Sequence, residues 1–386
     1  MTNDINNKQT IGITTIQQGL LEIFIIVSPI YKCVDAITIF GLNPITIVIG
    51  LIFLTFVFNI FHVVNSRQNI FGSIAILLIF CFELFAAKES SSIGWILAIL
   101  LYVFFLQTDK EVSIEKLYRA FLISSIVAAF FSLTLGFVGG TILRTATSVD
   151  SSIAPIAITI ILFCDNRSFR KDSGTWDILK IISFISSFIV LIFGMSRARI
   201  LIVAGIFAVF VLFKFREVIR NGGRITQKSL LIFIASLFVG IILLISGTAQ
   251  KLFAPILNRL FNEGLSSMGR DVEIEFGLQM FRENVFVGGG WGTFTLRDLN
   301  GSIVPYDNHC AYIAVLARGG ILFAVPTFIS YLTLLVYSMK VRRYSGVALV
   351  LMLVFLLLSY GNAGMFNYTV CSIIPLVVLD IKRSLR

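Results

Sequence analysis

Charge is sparse in this chain. Asp, Glu, Lys and Arg make up 13% of its 386 residues, about half the ~25% of a soluble domain. Histidine is scarcer still. His62 and His309 stand far apart, and the acids are scattered, so neither a zinc nor a magnesium site is expected and no metal is assigned. The five cysteines, Cys33, Cys81, Cys164, Cys310 and Cys371, show no metal-ligand spacing. Four lie in apolar segments and read as small packing residues, so no disulfide framework is implied. The N-terminal segment has no basic stretch and no A-x-A cleavage site, and its first apolar run is expected to stay as a helix. No nucleic-acid-binding signature is present either. The basic residues behind the +10 net charge sit in short loops between apolar runs, so nucleic acid is not an expected partner.

What remains is hydrophobic. Apolar residues form 57% of the chain, in recurring runs of about 20, the length that spans ~30 Å of hydrocarbon. In lipid the backbone must pair its own polar groups, which favours helices. Continuous runs such as 44–64 and 230–245 exclude the short alternating strands of a β-barrel. The expectation is an all-α polytopic membrane protein, one transmembrane domain over 1–386 with about twelve helices. The expected spans are 18–39, 44–64, 70–87, 93–107, 119–138, 151–164, 178–195, 199–215, 229–247, 319–338, 345–359 and 364–380. The first carries Glu22, Lys32 and Asp35 in its interior. With a cytoplasmic N-terminus, the inner loops and tails collect twenty Lys and Arg, against Lys88, Arg144, Arg197 and Arg199 in the short outer loops. That bias puts both termini in the cytoplasm.

One long connection, 248–318, falls outside on this count, between the ninth and tenth spans. Leu252, Phe253, Ile256, Leu257, Leu260 and Phe261 recur at helical spacing opposite Lys251, Asn258 and Arg259, the pattern of an amphipathic helix lying on a membrane. A second helix is expected over 271–284. The cluster Gly288-Gly289-Gly290-Trp291-Gly292 then breaks the chain, which returns to the membrane through Asp307-Asn308-His309-Cys310-Ala311-Tyr312. There is no internal repeat of the kind that marks inverted-repeat transporters.

Few residues in this frame can carry chemistry. His62 reads as an interface residue near the end of the second helix. His309 lies where the loop meets the membrane, beside Asp307 and Tyr312, and an imidazole suits general-base work on a hydroxyl. Arg197 and Arg199, in Gly194-Met195-Ser196-Arg197-Ala198-Arg199, lie between two apolar helices. Arginine there marks either a function or a snorkelling side chain, and its planar fork matches diphosphate oxygens. Arg270 opens the second loop helix, and Arg144 is a weaker candidate of the same type. The glycine cluster lacks the Lys-Ser/Thr of a nucleotide loop and reads as a tight turn.

The order of these motifs resembles a known family. A serine–arginine turn precedes a long outer loop with Gly269-Arg270, then Gly-Gly-Gly-Trp-Gly-Thr-Phe, then Asp-Asn-His-Cys-Ala-Tyr-Ile running into Arg318-Gly319-Gly320-Ile321-Leu322. This is similar to the O-antigen polymerase (Wzy) and O-antigen ligase family over about 194–335, most like a polymerase. The resemblance implies a GT-C-like glycosyltransferase of the bacterial inner membrane, free of metal and cofactor, with its active site facing the periplasm. Donor and acceptor would be oligosaccharides on undecaprenyl diphosphate, with membrane lipid and a polysaccharide chain-length regulator as further partners. It implies diphosphate binding by Arg197, Arg199 and Arg270, with His309 as base. Asp307, Asn308, Tyr312, Arg282 and Arg144 would orient the base or bind sugar. The alternatives are a ligase moving the glycan to lipid A core, a flippase or other transporter, and a scaffold in an export complex.

Overall fold

In a computed structural model of the chain, the described residues are 2–31, 39, 43–63, 96, 112–135, 137–138, 141–142, 152–164, 174–194, 199, 202–203, 205–206, 208, 268–292, 294–297, 301, 303–306, 310–341, 347–361 and 368–385. They are mostly helical. Helix α1 (Thr2–Val27) runs into a single 3-10 turn, Ser28–Ile30. Then come α2 (Pro44–Val63), α3 (Ile114–Leu135), α4 (Ile153–Cys164) and α5 (Gly174–Phe193). In the C-terminal part lie α6 (Met268–Glu283), α7 (Ala311–Val341), α8 (Val347–Gly361), α9 (Tyr368–Cys371) and α10 (Ile373–Ser384). Two small antiparallel hairpins interrupt them: β1 (Phe137–Val138) with β2 (Thr141–Ile142), and β3 (Thr295–Arg297) with β4 (Ile303–Pro305).

Local chemistry explains where several helices begin and end. The hydroxyl of Ser113 accepts from the Lys116 amide at the head of α3, and Glu115 stands in that first turn. Both features favour a helix N-terminus. The helix therefore starts at Ile114, five residues ahead of the expected span, because capping and not hydropathy sets its origin. Pro29 has no amide to continue the α1 ladder, and α1 gives way to the 3-10 turn at Ser28. Toward the N-terminus α1 extends well before the expected start at 18, since nothing in the polar stretch from Thr2 forbids a helix. The C-terminal span divides at Ser372 into α9 and α10. The expected spans 70–87, 93–107, 199–215 and 229–247 and the amphipathic stretch 252–261 lie outside the described residues, apart from helical positions at 96, 199, 202, 203, 205, 206 and 208.

Helix pairs form through small and polar residues. Helix α3 packs on α5, where the hydroxyls of Ser125 and Ser183 meet at 2.6 Å. Ser124, Ala128, Ser132 and Ser187 are also buried. Small side chains let helix backbones approach, and hydroxyl bonds between them gain value away from water. At the other end of the chain, α8 packs on α7 and α10. The Asp380 carboxylate on α10 accepts the Ala348 amide at the start of α8, at 3.1 Å, so negative charge meets the positive end of a helix. The outward faces carry the opposite character. Phe130 and Leu133 on α3, Ile178 and Ile185 on α5, and Ile329 and Leu332 on α7 are exposed. Among the described residues two helices, α3 and α7, are long and apolar enough to cross a membrane.

Helix α7 differs most from expectation. It begins at Ala311, so the final turns of the expected loop are helical, and it is interrupted at Gly320, whose φ of 59° and ψ of −165° belong to no helix. A Cβ at that position would collide with the Phe286 carbonyl and the Gly288 amide. Gly320→Ala should therefore lower the thermal midpoint in detergent, at a cost of at least ~1–3 kcal/mol for the backbone conformation alone. Gly50→Ala in α2 is the control. A Cβ there meets nothing within 4 Å, and the midpoint should hold or rise.

Candidate functional site

The break in α7 is filled by the glycine cluster. Ending a helix leaves carbonyls without donors, and starting another leaves amides without acceptors. Here the amides of Gly289 and Gly290 donate to the Ala317 and Arg318 carbonyls, at 2.7 and 3.0 Å. In return the amides of Ile321 and Leu322 donate to the Val285 and Phe286 carbonyls, at 2.9 and 3.1 Å. The turn after α6 thus caps both halves of α7 at once. Gly288, with φ of 68°, lies so close to the Arg318 carbonyl that no Cβ could fit. The expected tight turn is present, and its role is to splice a helix.

Side chains seal the junction. Trp291 is fully buried, edge-on to Phe323 with ring centroids 5.3 Å apart. Met280 fills the space a side chain on Gly289 would need. Arg318 is also buried. Its guanidinium donates to the Gly292 carbonyl and stacks over the Phe294 and Tyr306 rings, 5.3 and 5.7 Å from their centroids. A buried cation is tolerable when hydrogen bonds and aromatic faces replace its water. In the sequence Arg318 stands out only as part of a motif. An arginine two positions ahead of a helix-breaking glycine, at the head of an apolar run, was the available signal.

Tyr306 joins this box to α6. Its amide donates to the Phe294 carbonyl at 2.8 Å, and its ring lies 5.2 Å from that of Phe276. Its hydroxyl occupies the space beside Gly277, where a Cβ would come within 2.6 Å. Burial pushes the Tyr306 phenol from 10.0 up to about 12; Arg318 pulls it down, while Glu273 and Cys310 push it further up.

The expected site residues fall around this junction to differing degrees. Arg270 stands in the first turn of α6, seven residues and so about two turns before Gly277 on the same helix face. Asp307, Asn308 and His309 lie outside the described residues, but both flanks are fixed. Tyr306 is held as above, and the Cys310 carbonyl accepts the Ala314 amide at 3.0 Å in the first turn of α7. Tyr312 points elsewhere. Its hydroxyl donates to the Leu356 carbonyl of α8 at 2.9 Å, and its ring meets Phe328, so it ties α7 to α8. Arg282 is exposed in the last turn of α6. Arg199 is a helical position only 7% exposed. Arg197 and Arg144 lie outside the described residues. Among the described residues, the junction brings the α6 face that includes position 270 together with the chain flanking His309.

Two outcomes follow. Arg318→Met should cost about 1–3 kcal/mol, because it strips the buried Gly292 carbonyl of a donor; Arg318→Lys, which keeps a charge, should cost less. Thermal unfolding in detergent reads both. Because burial holds the folded Tyr306 pKa above its unfolded value, the stability it contributes is present below pH 10 and is lost as pH rises toward about 12. Tyr306→Phe should flatten that part of the stability profile. Compared with protein-family models and with curated proteins, the sequence matches none.

Proposed function

We propose that this chain is an integral membrane glycosyltransferase of bacterial surface-polysaccharide assembly, an O-antigen polymerase. It would move a growing glycan from undecaprenyl diphosphate onto a new lipid-linked repeat unit on the periplasmic side of the inner membrane. The observation that carries this reading is the junction at Gly320. It fastens the helix bearing Arg270 and the strand leading to His309 to the head of an apolar helix long enough to cross a membrane. A lipid-linked diphosphate would present its reacting bond at that level. The inverted distribution of polarity supports a membrane setting: serines buried between helices, and Ile, Leu and Phe facing outward.

In this reading the acceptor hydroxyl attacks the anomeric carbon of the donor. The new carbon–oxygen bond forms as the bond to the diphosphate breaks, with inversion at carbon. His309 takes the hydroxyl proton, and the electron pair leaves on the diphosphate. Arg270, with Arg197 and Arg199, supplies fixed positive charge where negative charge develops, the term that contributes most in reactions of this kind. Both termini would be cytoplasmic, and a chain-length regulator would be the protein partner.

A lipopolysaccharide gel from a deletion strain tests this. Loss of the polymerase should leave core bearing a single repeat, because ligation still proceeds. Complementation by His309→Ala or Arg270→Ala should fail to restore the ladder, while the protein remains in the membrane. Bare core with accumulated lipid-linked polymer would instead identify the ligase. A normal ladder in the deletion strain would refute both.

A further inference from the structure

The turn that splices α7 carries two exposed apolar side chains. Phe286 is 70% exposed and Val287 40%, although both sit beside one of the most tightly bonded stretches of backbone. Their neighbours before the turn, Glu283 and Asn284, are polar and exposed. The Phe286 carbonyl accepts the Leu322 amide, so Phe286 stands next to the first turn of α7 beyond the break. From there an apolar stripe runs down the outer side of α7: Leu322, Val325, Ile329, Leu332 and Val336, all exposed. The spacing of three and four residues is that of one helix face. The buried residues Phe323, Thr327, Tyr331 and Leu334 occupy the other side. Phe286 and Val287 therefore extend, at its top, a stripe that is exposed among the described residues.

Length fixes what that stripe faces. The part of α7 from Ile321 to Val341 rises about 31 Å, close to the ~30 Å of a bilayer's hydrocarbon core. At its far end Lys340 is exposed, with its ammonium 5.2 Å from the Tyr337 ring, a pairing suited to a membrane interface. If that end lies at one interface, Ile321 and Leu322 lie at the other, and Phe286 is level with them. Backbone entering such a region must arrive with its polar groups paired. The carbonyls of Asn284, Val285 and Phe286 do so, accepting from Gly288, Ile321 and Leu322.

We infer that Phe286 and Val287 form a knuckle inserted among the acyl chains of the leaflet at the Gly320 end of α7, holding α6 against that membrane surface. The knuckle rests on the membrane setting proposed above and not on the glycosyl transfer. It fixes the end of α6 nearest the turn at that surface. Burial of the two side chains favours this arrangement through the same apolar transfer that holds the helices.

Nitroxide labels measure it. In the full chain with its cysteines replaced by alanine, Phe286→Cys, Val287→Cys, Leu332→Cys and Gln279→Cys are labelled separately. Each is reconstituted in vesicles of phosphatidylethanolamine and phosphatidylglycerol, and power saturation compares access to oxygen with access to a water-soluble nickel chelate. Oxygen access dominating at 286 and 287, as at 332, with nickel access dominating at 279, is the expected result. Nickel access dominating at 286 and 287 while 332 remains in lipid would overturn the knuckle and leave the membrane reading standing. Low access to both reagents at 286 would mean protein covers it, and would also overturn the inference. Nickel access dominating at 332 would sink the membrane setting and the knuckle together. Two adjacent labels guard against one variant failing to fold.

Discussion

A broken helix has to find partners for the backbone groups the break exposes, and in this chain that requirement organises the described residues around the head of α7. The break at Gly320 exposes carbonyls on one side and amides on the other. A single turn, Val285–Gly290, pairs two carbonyls on one side and two amides on the other. An unpaired backbone group in an apolar setting costs several kcal/mol, so the turn and the break are each untenable without the other. Glycine is required at 288 and 320 because the two strands of chain pass too closely for any side chain, at backbone angles reserved for glycine. The cluster that superficially suggests a phosphate loop spends its amides on protein carbonyls.

The remaining features of the junction hang from that splice. Once the turn is seated, Trp291 and Phe323 close its apolar side, and Arg318 closes its polar side through Gly292, Phe294 and Tyr306. Tyr306 then abuts Gly277 and Phe276 on α6, which returns the connection to the helix that began it. The positions flanking Asp307, Asn308 and His309 are held by this arrangement, Tyr306 through Phe294 and Cys310 through Ala314.

Some of this was legible in the sequence and some was not. Apolar runs disclosed helices at α2, α4, α5 and α8 to within a few residues, because the apolar run and the helix coincide there, although α4 and α8 are shorter than a bilayer is thick. The start of α3 was misjudged because Ser113 and Glu115 set it, and a hydropathy window cannot see a cap. The hairpin β1–β2 escaped notice although Gly139-Gly140 lies between its strands, a strong turn signal overshadowed by the surrounding runs. The glycine cluster was recognised as a turn, but its partner was not, since nothing local to residues 288–292 says that residues 317–322 will need its amides. Arg318 was hidden for the same reason. Its box is assembled from Phe294 and Tyr306, which meet it only in three dimensions. Tyr312 looked like a site residue by its distance from His309, yet its hydroxyl is turned to Leu356 on α8.

The splice itself is the claim on which the account stands, and amide hydrogen exchange tests it most directly. Exchange in detergent or nanodisc, followed by mass spectrometry, should show the amides of Gly289 and Gly290 protected together with those of Ile321 and Leu322, to a degree close to the interior of α7. Opening should be shared, because neither side can keep its hydrogen bonds when the other leaves. Rapid exchange at Gly289 and Gly290 while Ile321 and Leu322 stay protected would contradict the account, and the loop would then have to be held to the membrane by some other contact.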